Sequence, residues 1–403
     1  MEFNRLISNV EPSKSVTLLA KTKELQKTDP EILNLTGGEP DFPTPKAVCD
    51  TVVAELAAGH THYSDSRGDA DLRARIARKL QEENHAPYQA ENILITPGAK
   101  YAVYLTIRAL INPGDEAIWL TPGWVSYPSI VEASGGKPVA VHLKYEENYR
   151  ITEEALEAAA SDKTKLLIIN YPNNPTGQIL TESDIQALTA FLRNHPDVYV
   201  LSDEIYEKIV YDQNKIVSLA SIPEFFERVV IVNGFSKCSA MTGWRLGYLA
   251  CTPALYQVVL KLFQHSISCT SGFLQRGALT ALDCVEETEQ MRQAYEKRKN
   301  LLFEGIREIP GVELLTPAGA FYAWVKFDTD MDSETLCNDL LNKAKIAGVP
   351  GIAYGEEDCV CIRFSFAASE DVLRTMLERL KTYQESHSTA NNTFLTNQTH
   401  IIK

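Results

Sequence analysis

The chain has 403 residues, 44% hydrophobic and 23% charged, which suits a globular protein large enough for two domains. Its formal charge of −14 argues against binding to nucleic acid or to an anionic membrane surface. No run of about 18 apolar residues marks a transmembrane helix, and Met1-Glu-Phe-Asn-Arg does not open a signal peptide, so a cytoplasmic protein is expected.

Taken in order, apolar positions at helical spacing predict a helix over 16–25. In Leu33-Asn-Leu-Thr-Gly-Gly-Glu-Pro-Asp-Phe-Pro-Thr-Pro45, Gly37 and Gly38 permit unusual backbone angles and two prolines bracket an acidic turn, the marks of a joining loop. Helices follow over 45–58 and 69–83, separated by His62-Tyr63-Ser-Asp-Ser-Arg-Gly68. A strand over 92–96 runs into Pro97-Gly98-Ala99-Lys100 and an apolar helix over 101–110. Free backbone N–H groups at Gly98 and Ala99, with the helix dipole behind them, suit a phosphate. Lys100 is a cation where that dipole disfavours one, which points to a functional reason for it.

A strand over 117–120 ends in Thr121-Pro-Gly-Trp124-Val-Ser-Tyr127, where an aromatic can stack on a flat ring. Trp124 is the candidate, and Tyr127 is read as packing. Strands over 138–143 and 166–170 follow, the second ending in Tyr171-Pro-Asn-Asn174-Pro-Thr-Gly177. After a helix over 180–193, a strand over 198–201 ends in Ser202-Asp203-Glu204-Ile205-Tyr206. A carboxylate at a buried strand end is costly unless paired. The next strands, 229–232 and 246–250, enclose Asn233-Gly-Phe-Ser-Lys-Cys-Ser-Ala-Met-Thr-Gly-Trp-Arg-Leu-Gly247. Lys237 is its only amine, and desolvation at a strand end would lower its pKa. Arg245 offers a planar fork for a phosphate.

The segment 253–308 reads as mostly helical, interrupted near 266–272. Thr316–Val325 and Val360–Ala367 read as strands; Phe321 and Tyr322 are open between pocket lining and packing. Arg363 lies among apolar neighbours and needs an anion. Cys359 and Cys361 read as packing, the eight cysteines form no C-x-x-C pair, and no structural metal is expected. A last helix is predicted over 371–385, followed by a disordered tail over 386–403.

The pattern Ser-Lys-x-x-x-Met-Thr-Gly-Trp-Arg-Leu-Gly at 236–247 resembles the lysine signature of class I aminotransferases, fold-type I enzymes that use pyridoxal 5′-phosphate, and the chain is similar to their bacterial aspartate aminotransferase branch. Gly-Glu-Pro-Asp-Phe-Pro-Thr-Pro, Asn-Pro-Thr-Gly and Tyr-x-x-x-x-Gly-x-x-x-Leu-Arg extend the resemblance from Gly38 to Arg363. It implies that Lys237 bonds to the cofactor and moves the catalytic proton. Arg245, Ser236, Gly98, Ala99 and Lys100 hold or border the phosphate. Asp203 faces the pyridine nitrogen, Asn174 and Tyr206 share the ring's 3′ oxygen, and Trp124 stacks on the ring. Gly38, Asn174 and Arg363 meet the substrate's α-carboxylate end, and Lys100, beside Trp124, faces a distal carboxylate. Tyr63 reaches the phosphate of a neighbouring subunit, which implies a homodimer. Two departures from the usual pattern are Gly234, where some branches carry serine, and Ser66-Arg67, where Thr-Ala-Gly is commoner.

Strands alternating with helices over 92–250 predict an α/β fold: a mainly parallel sheet flanked by helices. The resemblance adds a smaller α+β domain built from both chain ends, with 1–45 part of the small domain, 46–290 the large domain and 291–385 the small one. It implies amino transfer from an L-amino acid, aspartate favoured, to a 2-oxo acid such as 2-oxoglutarate, with ping-pong kinetics. Elimination, racemisation, and transfer from aromatic or aliphatic donors stay open, since the cofactor carries the hard chemistry. A non-enzymatic regulator needs an added DNA-binding domain, for which the motifs, starting by residue 37, leave little room.

Overall fold

A computed structural model describes residues 3–8 and 10–398. The strands, in chain order, are Leu33–Asn34 (β1), Ile93–Thr96 (β2), Glu116–Thr121 (β3), Lys137–His142 (β4), Thr164–Asn170 (β5), Tyr199–Asp203 (β6), Val229–Gly234 (β7), Gly247–Ala250 (β8), Val312–Leu315 (β9), Tyr322–Phe327 (β10), Ile346–Ala347 (β11), Val349–Pro350 (β12) and Cys361–Ser365 (β13). Seven of them form one sheet in the order β2-β8-β7-β6-β5-β3-β4. Neighbours are parallel except at β8, which runs antiparallel to both β7 and β2.

The central strands are continuous apolar runs because both faces of a parallel sheet are covered. Side-chain alternation divides them between two cores. Ile93, Ile95, Leu167, Ile169, Val200 and Ile231 point into one. Leu94, Leu166, Ile168, Leu201, Val230 and Val232 point into the other, against the apolar face of the helix Ala99–Leu110. The predicted helix–sheet–helix layering is therefore present.

The second sheet is antiparallel, in the order β12-β13-β10-β9. A separate parallel pair joins β1 to β11, with Leu33 opposite Ile346. The N-terminal segment is thus stitched to the last third of the chain. Ser365 N donates to Leu35 O at 2.7 Å and Arg379 Nη1 to Glu31 O at 2.7 Å. The first long helix spans Lys14–Thr28, longer at both ends than its apolar pattern. The segment after β8 contains three helices, Pro253–Ser266, Gly272–Ala281 and Val285–Ile306. The last helix, Glu370–Gln398, continues past residue 385, where the sequence predicts its end and a disordered tail. Residues 399–403 lie outside the described residues.

Glycines let the strand ends around β8 close up. A Cβ on Gly247 would lie 2.4 Å from Ala99 N and 2.6 Å from Gly98 C, and one on Gly234 2.8 Å from Gly247 Cα. These neighbours are backbone and cannot rotate away. Gly247→Ala should therefore cost about 1–3 kcal/mol or more of stability, read as a lower urea unfolding midpoint. An unchanged midpoint would show that the strands do not approach this closely.

Candidate active site

Six strands of the large sheet point the same way, so the loops after β2, β3, β5, β6 and β7 share one edge. Arg245 precedes β8, and the reversal of that strand brings it to this same edge. The result is a cavity of about 360 Å³ lined by strand-end residues, by Thr36, Gly38 and Glu39 of the N-terminal segment, and by Tyr322 and Arg363 of the small sheet. A ligand crevice at the carboxyl ends of strands is the usual site in open α/β sheets.

Lys237 lies in the loop after β7. Its Nζ donates to Gly38 O and stands 5.9 Å from the ring centres of both Tyr206 and Phe321. Burial lowers its pKa to about 8; the Glu39 carboxylate opposes that shift, while the charges of Arg245 and Arg363 add to it. Asp203 ends β6. Burial raises its pKa to about 6, and the Tyr127 hydroxyl, donating to Oδ2 at 2.8 Å, holds it below where burial alone would put it. No ion pair reaches Asp203 among the described residues.

Arg363, on β13, is 3% exposed. Its Nη1 donates to Asn174 Oδ1 at 3.0 Å and its Nη2 to Thr36 O at 2.7 Å, while Nε is buried without a partner. The guanidinium lies 4.3 Å from the Tyr322 ring centre, and the Tyr322 and Tyr206 hydroxyls are 2.8 Å apart. Asn174 is held in turn through its N–H, which donates to Asn170 Oδ1 at 3.0 Å. With Oδ1 engaged by Arg363, the Asn174 amide keeps its Nδ2 as a free donor.

Arg245 adopts a left-handed backbone, φ 55° and ψ 55°, after the turn Thr242–Trp244. That costs a non-glycine residue about 1–3 kcal/mol, and it carries the guanidinium over Gly98. A Cβ at Gly98, where φ is +90°, would lie 2.6 Å from Arg245 Nη2. Ala99, Ser236 and Lys100 line the same end of the cavity. Lys100 stands 4.9 Å over the Trp124 ring, and partial burial together with the Arg245 charge lowers its pKa.

Every candidate from the sequence reaches this cavity except three; of the two open readings at 321 and 322, Tyr322 lines it and Phe321 packs in the core. Gly98 contributes beside it, against Arg245. Tyr63 does not line it and is 93% exposed. The reading of Tyr127 as packing needs correction: it packs edge-on to Trp124, ring centres 5.1 Å apart, but its hydroxyl is the side-chain donor to Asp203. Sequence reasoning also missed Leu19, Thr36, Glu39, Asn170 and Thr242. Glu39 was visible, standing between Gly38 and Pro40, but nothing local showed that the loop turns its carboxylate toward Lys237.

The family described as aminotransferase class I and II matches residues 30–380. The chain belongs to this family. It is 40% identical over 372 residues to the aspartate aminotransferase of Musicola paradisiaca (strain Ech703), covering 91% of this chain and 93% of that protein. The structure of the Thermus thermophilus aspartate aminotransferase with maleate superposes with a TM-score of 0.89 at 34% identity, covering 95% of this chain and 99% of the other. The aromatic aminotransferase of Pyrococcus horikoshii OT3 superposes with a TM-score of 0.86 at 35% identity, covering 92% and 99%.

In this aminotransferase the Lys237 amine should be nucleophilic near neutrality. Reductive trapping of the cofactor-free protein with a small aldehyde, mapped by peptide mass, should rise with pH and reach half its maximum near pH 8 at Lys237. Exposed lysines should continue to gain above pH 10. A midpoint near 10 at Lys237 would remove the desolvated amine.

Proposed function

We propose that this aminotransferase binds pyridoxal 5′-phosphate in the cavity and transfers the amino group of an L-amino acid, with L-aspartate favoured, to a 2-oxo acid such as 2-oxoglutarate. The observation that carries the reading is Asp203: a buried carboxylate with hydroxyl and backbone N–H donors but no ion pair among the described residues, on the same cavity as a desolvated lysine. A protonated pyridine nitrogen is the partner such an acid lacks. The phosphate fits the N-terminal end of the helix Ala99–Leu110, where Gly98 leaves room for Arg245 and Ser236 closes the side. Asn174 Nδ2 and the Tyr206 hydroxyl supply donors for the ring oxygen, and Trp124 supplies a flat face.

When bound, the cofactor supplies an electron sink for the charge left at the substrate Cα. Lys237 Nζ removes the Cα proton as general base, a role its pKa of about 8 suits. Arg363 takes the α-carboxylate as a planar pair, its unpartnered Nε providing a donor. Lys100, on the cavity wall over the Trp124 ring, takes a distal carboxylate. The Musicola relative named for aspartate, and the Thermus neighbour determined with the dicarboxylate maleate, support this donor class. An aromatic donor is the second reading, favoured by the Trp124, Tyr206 and Tyr322 rings on the cavity and by the Pyrococcus horikoshii neighbour. We place the enzyme in the cytoplasm, a reducing compartment that suits its eight free thiols.

The protein with added pyridoxal phosphate should show a visible absorption band that L-aspartate bleaches without any acceptor, with oxaloacetate released. Lys237→Ala should lose the band and show no turnover above background. A band bleached by L-phenylalanine but not by L-aspartate would transfer the assignment to the aromatic reading, and full activity in Lys237→Ala would sink both.

The homodimer rests on Tyr63, a large aromatic standing almost fully in solvent on the loop before the helix Ala70–Glu82. Light scattering should give twice the chain mass. Tyr63→Phe should keep that mass and weaken pyridoxal phosphate retention about tenfold, in line with the loss of a hydrogen bond to a charged group. A monomeric mass with full activity would overturn the shared site.

A further inference from the structure

Among the described residues, one group of potential metal ligands lies close together outside the catalytic cavity. Glu356, Cys359 and Cys361 bring a carboxylate oxygen and two sulfurs within 4.8 Å of one another. Sequence alone suggests that the two cysteines alternate on a strand as packing. In the structure Cys359 lies in a bend before β13 begins at Cys361, and the two sulfurs are 3.3 Å apart.

We propose that Glu356, Cys359 and Cys361 form a binding site for a thiophilic divalent cation, with Zn2+ the metal that best fits a sulfur and carboxylate set. Three arguments support it. The first is geometry. Tetrahedral zinc with Zn–S of about 2.3 Å places two thiolates about 3.8 Å apart, so the sulfurs need to open by roughly half an ångström. A disulfide needs them to close to about 2.05 Å, a larger movement in the opposite sense.

The second argument is the surrounding shell. Glu356 Oε1 accepts from Asp358 N at 3.0 Å and Cys359 N at 3.3 Å, and Oε2 accepts from the Tyr149 hydroxyl. Tyr149 in turn accepts from Trp324 Nε1 at 2.7 Å. The carboxylate is therefore oriented from outside, as ligands of a metal are. Trp324 pairs directly with Arg363 across β10 and β13, so a cation here would fasten the start of the strand that carries the substrate-binding arginine.

The third argument is charge. Among the described residues no ion pair engages Glu356, so the corner holds no resident cation. Lys326 faces Cys359, but it is held by Glu146 at 3.0 Å and Glu313 at 3.9 Å. A divalent cation would displace two thiol protons to solvent and bind the thiolates. Cys359 is half-buried, which provides the entry path and leaves the fourth position to water.

The test uses the full-length holoenzyme, reduced and anaerobic, titrated with Co2+ and read as a difference spectrum against the same protein with chelator, so that cofactor absorption cancels. A near-ultraviolet thiolate-to-cobalt band saturating at one ion per chain is expected. Cys359→Ser, at the half-buried position where folding is least at risk, should weaken Co2+ by more than the roughly 10–100-fold that loss of an outer-shell partner costs, and Glu356→Gln should weaken it as well. No saturable band, or a band that survives Cys359→Ser, would overturn the site. So would a thiol count two short in the metal-free protein as purified, which would mean a disulfide instead.

Discussion

The site depends on one close approach. Gly234 and Gly247 let the ends of β7 and β8 and the turn after β2 meet with backbone against backbone, where no side chain larger than hydrogen fits, and Gly98 leaves the space that the Arg245 guanidinium fills. Because β8 is reversed, its N-terminal end lies beside the C-terminal ends of its neighbours. Lys237, leaving β7, and Arg245, entering β8, are thus brought to one edge together with the helix start at Ala99. A loop of twelve residues, 235–246, thus sets an amine and a guanidinium beside the backbone N–H groups of that helix start. The left-handed backbone at Arg245 is the local cost, borne where a phosphate is proposed to bind.

The electrostatics follow from that crowding. The protein carries a net charge of −14, yet Lys100, Lys237, Arg245 and Arg363 all line the cavity, against the carboxylates of Asp203 and Glu39. Four cations on a low-dielectric wall focus a positive potential into an otherwise acidic molecule, and this selects anionic ligands while the outer surface repels them. Burial lowers the Lys237 pKa first, with Arg245 and Arg363 adding to the shift. An anion bound to either arginine would weaken that contribution and return some basicity to the amine. Reactivity and occupancy of the site are therefore coupled through charge, without any movement of the backbone.

Much of this was legible in the sequence because strand ends announce themselves. Asp203 and Lys237 each follow an apolar run, and a polar group there must face a crevice or a partner. What stayed hidden depends on contacts between distant segments. Tyr127 looks like packing because an isolated tyrosine beside Trp124 is packing in most settings; only the sheet order, which sets β3 one strand removed from β6, brings its hydroxyl to Asp203. Glu39 and Leu19 reach the cavity because β1 pairs with β11, some 300 residues away, and no local periodicity encodes that pairing. The reversal of β8 was invisible for the same reason: a buried four-residue strand reads alike in either direction.

Arg363 shows how the two sheets become one site. It stands on the antiparallel sheet, yet its guanidinium donates to Asn174 on the loop after β5 and to the carbonyl of Thr36 in the N-terminal segment. Three parts of the chain, centred near residues 36, 174 and 363, meet on this one planar group. Both of its terminal nitrogens are engaged, so the fork cannot rotate, while Nε remains buried and unpartnered. An unsatisfied buried donor costs about 1–3 kcal/mol, and rigidity without satisfaction would be a poor arrangement for stability alone. It suits the role proposed for Arg363, meeting a carboxylate in a fixed plane, because the entropy of fixing the side chain is spent in folding and not in binding. The same guanidinium that joins the small sheet to the large one is thereby prepared for a ligand in the cavity they share.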